Sequence, residues 1–195
     1  MKKSIMAVAL LAATTSAYAA NPDGGQLLFG GLVSSNTCIM HVDGGAQDST
    51  IQLETATAKE ISDYGEVNLS NLGIKPKIFS ISVDCSGAGM DFTNTPNAAL
   101  KMASIYFSNS KGTLNNDISV HDPAGGVNLA VHEIVSAGTY QQVKINDSTD
   151  EHLKLFSPDG KAVFNFAVSY VAQSSSVPVV AGYVKSNAAY TFEYK

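Results

Sequence analysis

The chain has no arginine and no tryptophan; all 12 of its basic side chains are lysines, and its net charge is −5. Without the planar guanidinium fork that reads phosphates and base edges, and with an acid excess, nucleic-acid binding is not expected. There are only 2 cysteines, Cys38 and Cys85, and no C-x-x-C pair, which argues against a redox or metal-binding thiol couple. Past residue 20 no apolar run is long enough to cross a bilayer. Charge blocks, low-complexity tracts and internal repeats are also missing, so nothing suggests a tail, a linker or a repeat array.

The first 19 residues supply the compartment. Lys2 and Lys3 precede an apolar run at 5–13, and Ala17-Tyr18-Ala19 places small residues where signal peptidase reads. Residues 1–19 are read as a secretory signal peptide of bacterial style, cleaved after Ala19, rather than as a membrane anchor. Cleavage leaves 176 of the 195 residues, one ordinary domain with chain enough to bury a core. Removal of the two lysines takes the net charge to −7. An exported chain with two cysteines most simply makes one disulfide, so Cys38 and Cys85 are expected to pair.

The search for chemistry returns little. His41, His121, His132 and His152 are scattered. His132-Glu133 opens like H-E-x-x-H, but Ser136 stands where the second histidine belongs. Ser108 and Lys111 fit S-x-x-K with none of the companion motifs of that chemistry. Asp23, Asp43, Asp122, Asp147 and Asp159 sit in turn-like contexts and read as solvated loop residues. No phosphate-cradling glycine loop, calcium loop or nucleophile elbow occurs. The expectation is no enzyme, no metal and no cofactor.

What the chain does contain is β-strand pattern. "STIQLE", "PKIFSISVDC", "LKMASIYFS", "NLAVHEIV", "TYQQVKIND", "HLKLFS", "AVFNFAVSYVA" and "AAYTFEYK" are short runs rich in Val, Ile, Phe and Tyr between Gly, Asn, Asp, Ser and Pro clusters. Phe79, Ile81 and Val83 share a face against Ile78, Ser80 and Ser82. Phe164, Phe166, Val168 and Tyr170 oppose Asn165, Ala167 and Ser169, while Tyr190, Phe192 and Tyr194 oppose Thr191 and Glu193. Period-two patterning at this spacing predicts an all-β, antiparallel, immunoglobulin-like sandwich. Residues 136–138 predict a hairpin turn, and residues 55–64 a short helical turn.

The two ends point further. Gly25, Leu27, Phe29, Gly31 and Val33 alternate ahead of Cys38. At the other end Gly182 stands fourteenth from the C-terminus, and Tyr194 is penultimate in an alternating terminal strand. Together with the cysteine pair these features resemble the type 1 fimbrial pilin family, the subunits of chaperone–usher pili. "GGQLLFGGLVSSNTC" is similar to that family's N-terminal extension and first strand. "STIQLETATAKEI" through "KIFSISVDC" resembles its passage to the second cysteine, and "FNFAVSYVAQ" with "AAYTFEYK" its last two strands. One departure is the short leader, with about nine residues ahead of Phe29.

The resemblance implies an incomplete sandwich that lacks its last strand and is completed by a donated one. It divides the chain into a signal peptide at 1–19, a donor-strand extension at 20–29 and a pilin domain at 30–195. It implies donor-strand residues Gly25, Leu27, Phe29 and Gly31, and chaperone or subunit contacts at Gly182, Tyr190, Phe192 and Tyr194. The partners implied are a periplasmic chaperone, an outer-membrane usher and neighbouring pilin subunits, and the place is a fimbrium on the bacterial surface, serving adhesion. From residues alone, Leu27 and Phe29 equally suit an ordinary first strand of their own domain. The alternative function is a secreted carbohydrate-binding β-sandwich.

Overall fold

The computed structural model describes residues 38–88, 92, 97–108 and 110–194, and the backbone of residues 27–31. The signal peptide, Gly25 and Lys195 lie outside the described residues.

Among the described residues, ten strands and one short helix follow in order: β1 (Leu27–Gly31), β2 (Ile39–Val42), α1 (Ala58–Tyr64), β3 (Ile74–Asp84), β4 (Asn97–Ala103), β5 (Leu114–Asn115), β6 (Val127–Ser136), β7 (Thr139–Gln142), β8 (His152–Leu155), β9 (Lys161–Ala172) and β10 (Ser186–Tyr194). They form two sheets. One runs β1-β10-β4-β8; the other runs β2-β3-β9-β6-β5, with β7 also on β6. Apart from the parallel β1–β10 pair, this is the antiparallel sandwich that the alternation predicts. The inward residues of β3 (Phe79, Ile81, Val83) and β9 (Phe164, Phe166, Val168) are buried. The rings of Phe79 and Phe166 stack with centroids 5.6 Å apart. Pleating carries side chains to alternate faces, so one face of each long strand builds the core.

The outer face of β9 departs from the simple pattern. Asn165 is exposed, but Ala167 and Ser169 are buried. The loop after α1 lies across them: the Gly73 amide donates to the Ser169 hydroxyl at 2.9 Å and the Gln142 amide donates to the Leu69 carbonyl at 2.9 Å. At Gly73 a Cβ would stand 2.3 Å from the Tyr170 carbonyl oxygen, so only glycine lets the loop lie this close.

The helical turn expected at 55–64 is α1. Thr57 caps it: its hydroxyl accepts from the Glu60 amide at 3.1 Å, and its own amide donates to the Glu60 carboxylate at 2.8 Å. The expected hairpin turn joins β6 to β7 through Gly138, at φ 75°. "STIQLE" is not a strand. Ile51 and Leu53 are buried core residues, but no named strand covers them. Thr50 in the run makes a β-bridge, so alternation recorded the burial of Ile51 and Leu53 but not that the run stops short of a strand.

Cys38 and Cys85 form a disulfide. Because Ile39 pairs with Asp84 in the β2–β3 ladder, the bridge sits one register step beyond the end of that ladder. It spans 47 positions, and the chain-entropy model then assigns it about 4 kcal/mol. A Cys38→Ser, Cys85→Ser variant is expected to lose about that much in urea denaturation. A loss below about 1 kcal/mol would contradict the assignment.

Candidate functional site: the edge of the last strand

β10 begins after a tight approach of two loops. Tyr183 donates its amide to the Asp122 carbonyl at 2.8 Å, and Ala124 donates to the Tyr183 carbonyl at 2.9 Å. Gly182 stands in the gap. A Cβ there would come within 2.5–2.6 Å of the backbone at Asp122, Pro123 and Ala124. Gly182→Ala is therefore expected to cost about 1–3 kcal/mol through forced backbone shifts, measured by urea denaturation; a neutral substitution would show that these loops separate freely. Gly182 thus lies in the turn before β10.

Along β10 the inward residues Ser186, Ala188 and Tyr190 are buried, and Phe192 and Tyr194 are half-buried. The Tyr190 hydroxyl donates to the Gln47 carbonyl at 2.9 Å. Burial raises the Tyr190 pKa, with the Asp48 carboxylate adding to it. Phe192 and Tyr194 meet edge to face at 5.0 Å, and both rings pack against Phe156. The Tyr194 hydroxyl rests on the disulfide, touching the Cys38 sulfur and lying 3.3 Å from that of Cys85. Tyr190, Phe192 and Tyr194 therefore do share one face, which closes the sandwich end around the disulfide.

The two sides of β10 differ. On one side β4 pairs antiparallel with it from Ala189 to Tyr194. On the other, β1 pairs parallel with it over five residues, from Leu27 opposite Ser186 to Gly31 opposite Tyr190. Leu27, Phe29 and Gly31 thus lie in a strand beside their own chain's last strand, and β1 runs across the boundary between residues 29 and 30. Among the described residues, 191–194 have no strand on the β1 side.

A second feature was not legible from sequence. His152 on β8 reaches across the sandwich to Glu133 on β6, joining the two sheets. Its Nδ1–H donates to the Glu133 carboxylate at 2.5 Å and its Nε2–H to Asp150 at 3.2 Å. Lys154 pairs with the other Glu133 oxygen at 2.6 Å. Burial opposes the charged imidazole, but the hydrogen bonds and charges of Asp150 and Glu133 outweigh it and push the His152 pKa up to about 9. Burial likewise works against ionised Glu133, yet His152 and Lys154 hold its pKa below the usual carboxylate value.

The discarded motifs resolve into structure. His132 points to the opposite face from Glu133, and its Nε2–H donates to the Asn68 carbonyl at 2.7 Å. Ser108 and Lys111 flank a turn in which the Gly112 amide donates to the Ser108 carbonyl at 2.9 Å. Lys111 pairs with Glu66 at 2.5 Å. Among the described residues no group of three or more His, Cys, Asp or Glu side chains could hold a metal ion.

A family model for fimbrial proteins matches residues 28–195. The chain belongs to the fimbrial protein family. Two solved structures share its fold. The crystal structure of the P pilus rod subunit PapA is 14% identical, covers 80% of this chain and 99% of its own, and superposes with a TM-score of 0.56. A chaperone–usher pilus structure concerned with rod uncoiling is 15% identical, covers 89% of this chain and 96% of its own, with a TM-score of 0.56. No curated protein sequence matches. For this fimbrial protein, the sandwich, the Cys38–Cys85 bridge and the membership agree.

Proposed function

We propose that this protein is a structural subunit of a chaperone–usher fimbria on the bacterial surface, not an enzyme, and that it polymerises by strand donation. The observation that carries this reading is the edge of β10. β4 fills one side of the strand, and at 191–194 the other side has no strand partner among the described residues. A sheet edge beside half-buried rings such as Phe192 and Tyr194 is a template for an added strand. Chaperone–pilin pairing is itself a known instance of such addition.

In this reading residues 20–29 serve a neighbouring subunit. Leu27 and Phe29 fill its pockets, and Gly25 meets a shallow part of its groove. A fully buried Leu or Phe contributes about 1.5–3 kcal/mol, so two of them with a backbone ladder make a slowly dissociating joint. A periplasmic chaperone first lends a strand to β10, contacting Tyr190, Phe192 and Tyr194, and the outer-membrane usher then exchanges it for the neighbour's. Adhesion is the service the assembled fibre performs.

The test is electrophoretic. Fibres sheared from cells expressing the protein with its chaperone and usher should run as an SDS-resistant ladder that collapses on heating in acid. A monomer band alone, as a secreted carbohydrate-binding module would give, refutes the proposal.

A further inference from the structure

We propose that Asn68 is an acceptor for an N-linked glycan, transferred to the exported chain from a polyprenyl diphosphate carrier. The inference rests on the export and fimbrial reading above and adds a modified position on the surface of the subunit. N-linked glycans are carried at Asn-x-Ser and Asn-x-Thr in surface loops of exported proteins. The chain has two such tripeptides, Asn68-Leu69-Ser70 and Asn146-Asp147-Ser148. The fold makes them very different acceptors.

Asn68, Leu69 and Ser70 are all exposed, in the loop between α1 and β3. The side-chain oxygen of Asn68 accepts the Ser70 amide at 2.9 Å. This local turn directs the oxygen back to the chain, and the side-chain nitrogen has no hydrogen-bond partner among the described residues. Two hydrogen bonds tie the tripeptide to other elements: His132 donates to the Asn68 carbonyl and the Gln142 amide to the Leu69 carbonyl. A surface segment held this lightly can be drawn into a transferase's cleft. Glu66, two positions before Asn68, adds a carboxylate handle; its pairing with Lys111 is at the surface, where such pairs exchange at little cost.

Asn146 is spent by contrast. Its side-chain oxygen accepts the Ser104 amide at 2.9 Å and its side-chain nitrogen donates to the Ser104 carbonyl at 2.7 Å. Its own amide donates to the Met102 carbonyl on β4 at 3.0 Å. Ser104 in turn gives its hydroxyl to the Asn187 carbonyl on β10. A sugar on Asn146 would break these bonds and stand beside β10. Asn68 lies over the outer face of β6 and β9, in the sheet that does not contain β10, so a glycan there leaves the β10 edge clear. In the transfer itself, the Asn68 nitrogen bonds to the anomeric carbon of the first sugar. The bond from that carbon to the diphosphate oxygen breaks, the polyprenyl diphosphate leaves with the electron pair, and one amide proton passes to a carboxylate of the transferase.

The test expresses the full chain in a bacterium that carries a periplasmic oligosaccharyltransferase and its polyprenyl-diphosphate-linked heptasaccharide. Proteolytic peptides of the product are read by mass spectrometry. The peptide spanning Asn68 is expected to carry the heptasaccharide and the peptide spanning Asn146 to be bare. Asn68→Gln and Ser70→Ala should each lower total glycan at least ten-fold, while Asn146→Gln leaves it unchanged. With chaperone and usher supplied, Asn68→Gln should form the same SDS-resistant ladder as the parent. A bare Asn68 in cells whose control acceptor protein is glycosylated overturns the proposal, and a ladder formed in those cells leaves the fimbrial reading intact. Glycan on Asn146 with Asn68 bare overturns it equally. A chain that keeps its leader and carries no glycan defeats the export reading and this proposal together.

Discussion

Replacing Glu133 by Leu is expected to lower the stability of the folded subunit by about 3–5 kcal/mol, the usual consequence of removing one partner from a buried charged pair. His152 has no solvent to fall back on, since its side chain is fully buried. Without Glu133, its charge is left with Asp150 alone, 3.2 Å from Nε2. Lys154 also loses its partner. A double exchange of Glu133 and His152 for apolar residues of similar volume should recover much of the loss, because it removes the stranded charge as well. Urea denaturation of the three variants measures this. A Glu133→Leu variant as stable as the parent would show that the bridge between the sheets carries no free energy.

The same bridge sets a pH dependence of definite sign. The folded pKa of His152, about 9, lies above its ordinary value of 6.5. Its contribution is therefore complete below pH 6.5 and is lost as pH rises through 9. At 1.36 kcal/mol per unit, the loss approaches about 3 kcal/mol on the alkaline side. Glu133 has the opposite sign: its pKa is lowered in the fold, so its contribution is present above its ordinary 4.5 and fades as pH falls through the lowered value. The stability difference between parent and His152→Gln should thus be largest near pH 5–6.5 and shrink toward pH 10. A difference that stays flat across that range would rule out a charged His152.

Tyr190→Ala is expected to cost about 3–5 kcal/mol, the range for deleting a buried aromatic side chain. Tyr190 is 1% exposed, lies at the centre of β10, and gives its hydroxyl to the Gln47 carbonyl. The truncation leaves a cavity between the sheets and an acceptor without its donor. Tyr190→Phe should cost only about 1 kcal/mol, the value of the hydrogen bond, which separates packing from polarity. Tyr194→Ser should fall between, since Tyr194 is half-buried but rests on the disulfide. In cells the expected order of subunit level is parent, Tyr190→Phe, Tyr194→Ser, Tyr190→Ala. Undiminished Tyr190→Ala protein with normal urea stability would show that β10 does not close the core.

The strand faces were legible because a pleated strand imposes a period of two on burial, and β3, β9 and β10 obey it over their inward residues. The cysteine pair was legible because a chain with two cysteines has one intrachain pairing. α1 was legible through its threonine and glutamate three positions apart. "STIQLE" shows the limit: alternation reports which side chains are buried, not whether the backbone has a ladder partner. Where a loop covers the outer face of β9, the polar–apolar contrast fades as well, since Ala167 and Ser169 are buried for reasons that lie a hundred residues away.

By itself the sequence determined the all-β class, the inward faces, the disulfide pairing and the family, since each depends on local periodicity, composition or short motifs. Tertiary structure alone decided three other things. It placed β10 between β4 and β1, because any short apolar strand can pair with any open edge until the other edges are taken. It set Gly182 against the backbone of Asp122, Pro123 and Ala124, a constraint visible only when the two loops meet. And it joined Glu133 to His152: two scattered polar residues became the charged link between the sheets because strands from opposite layers cross there, and a buried charge persists only where a partner of opposite sign has been brought within reach.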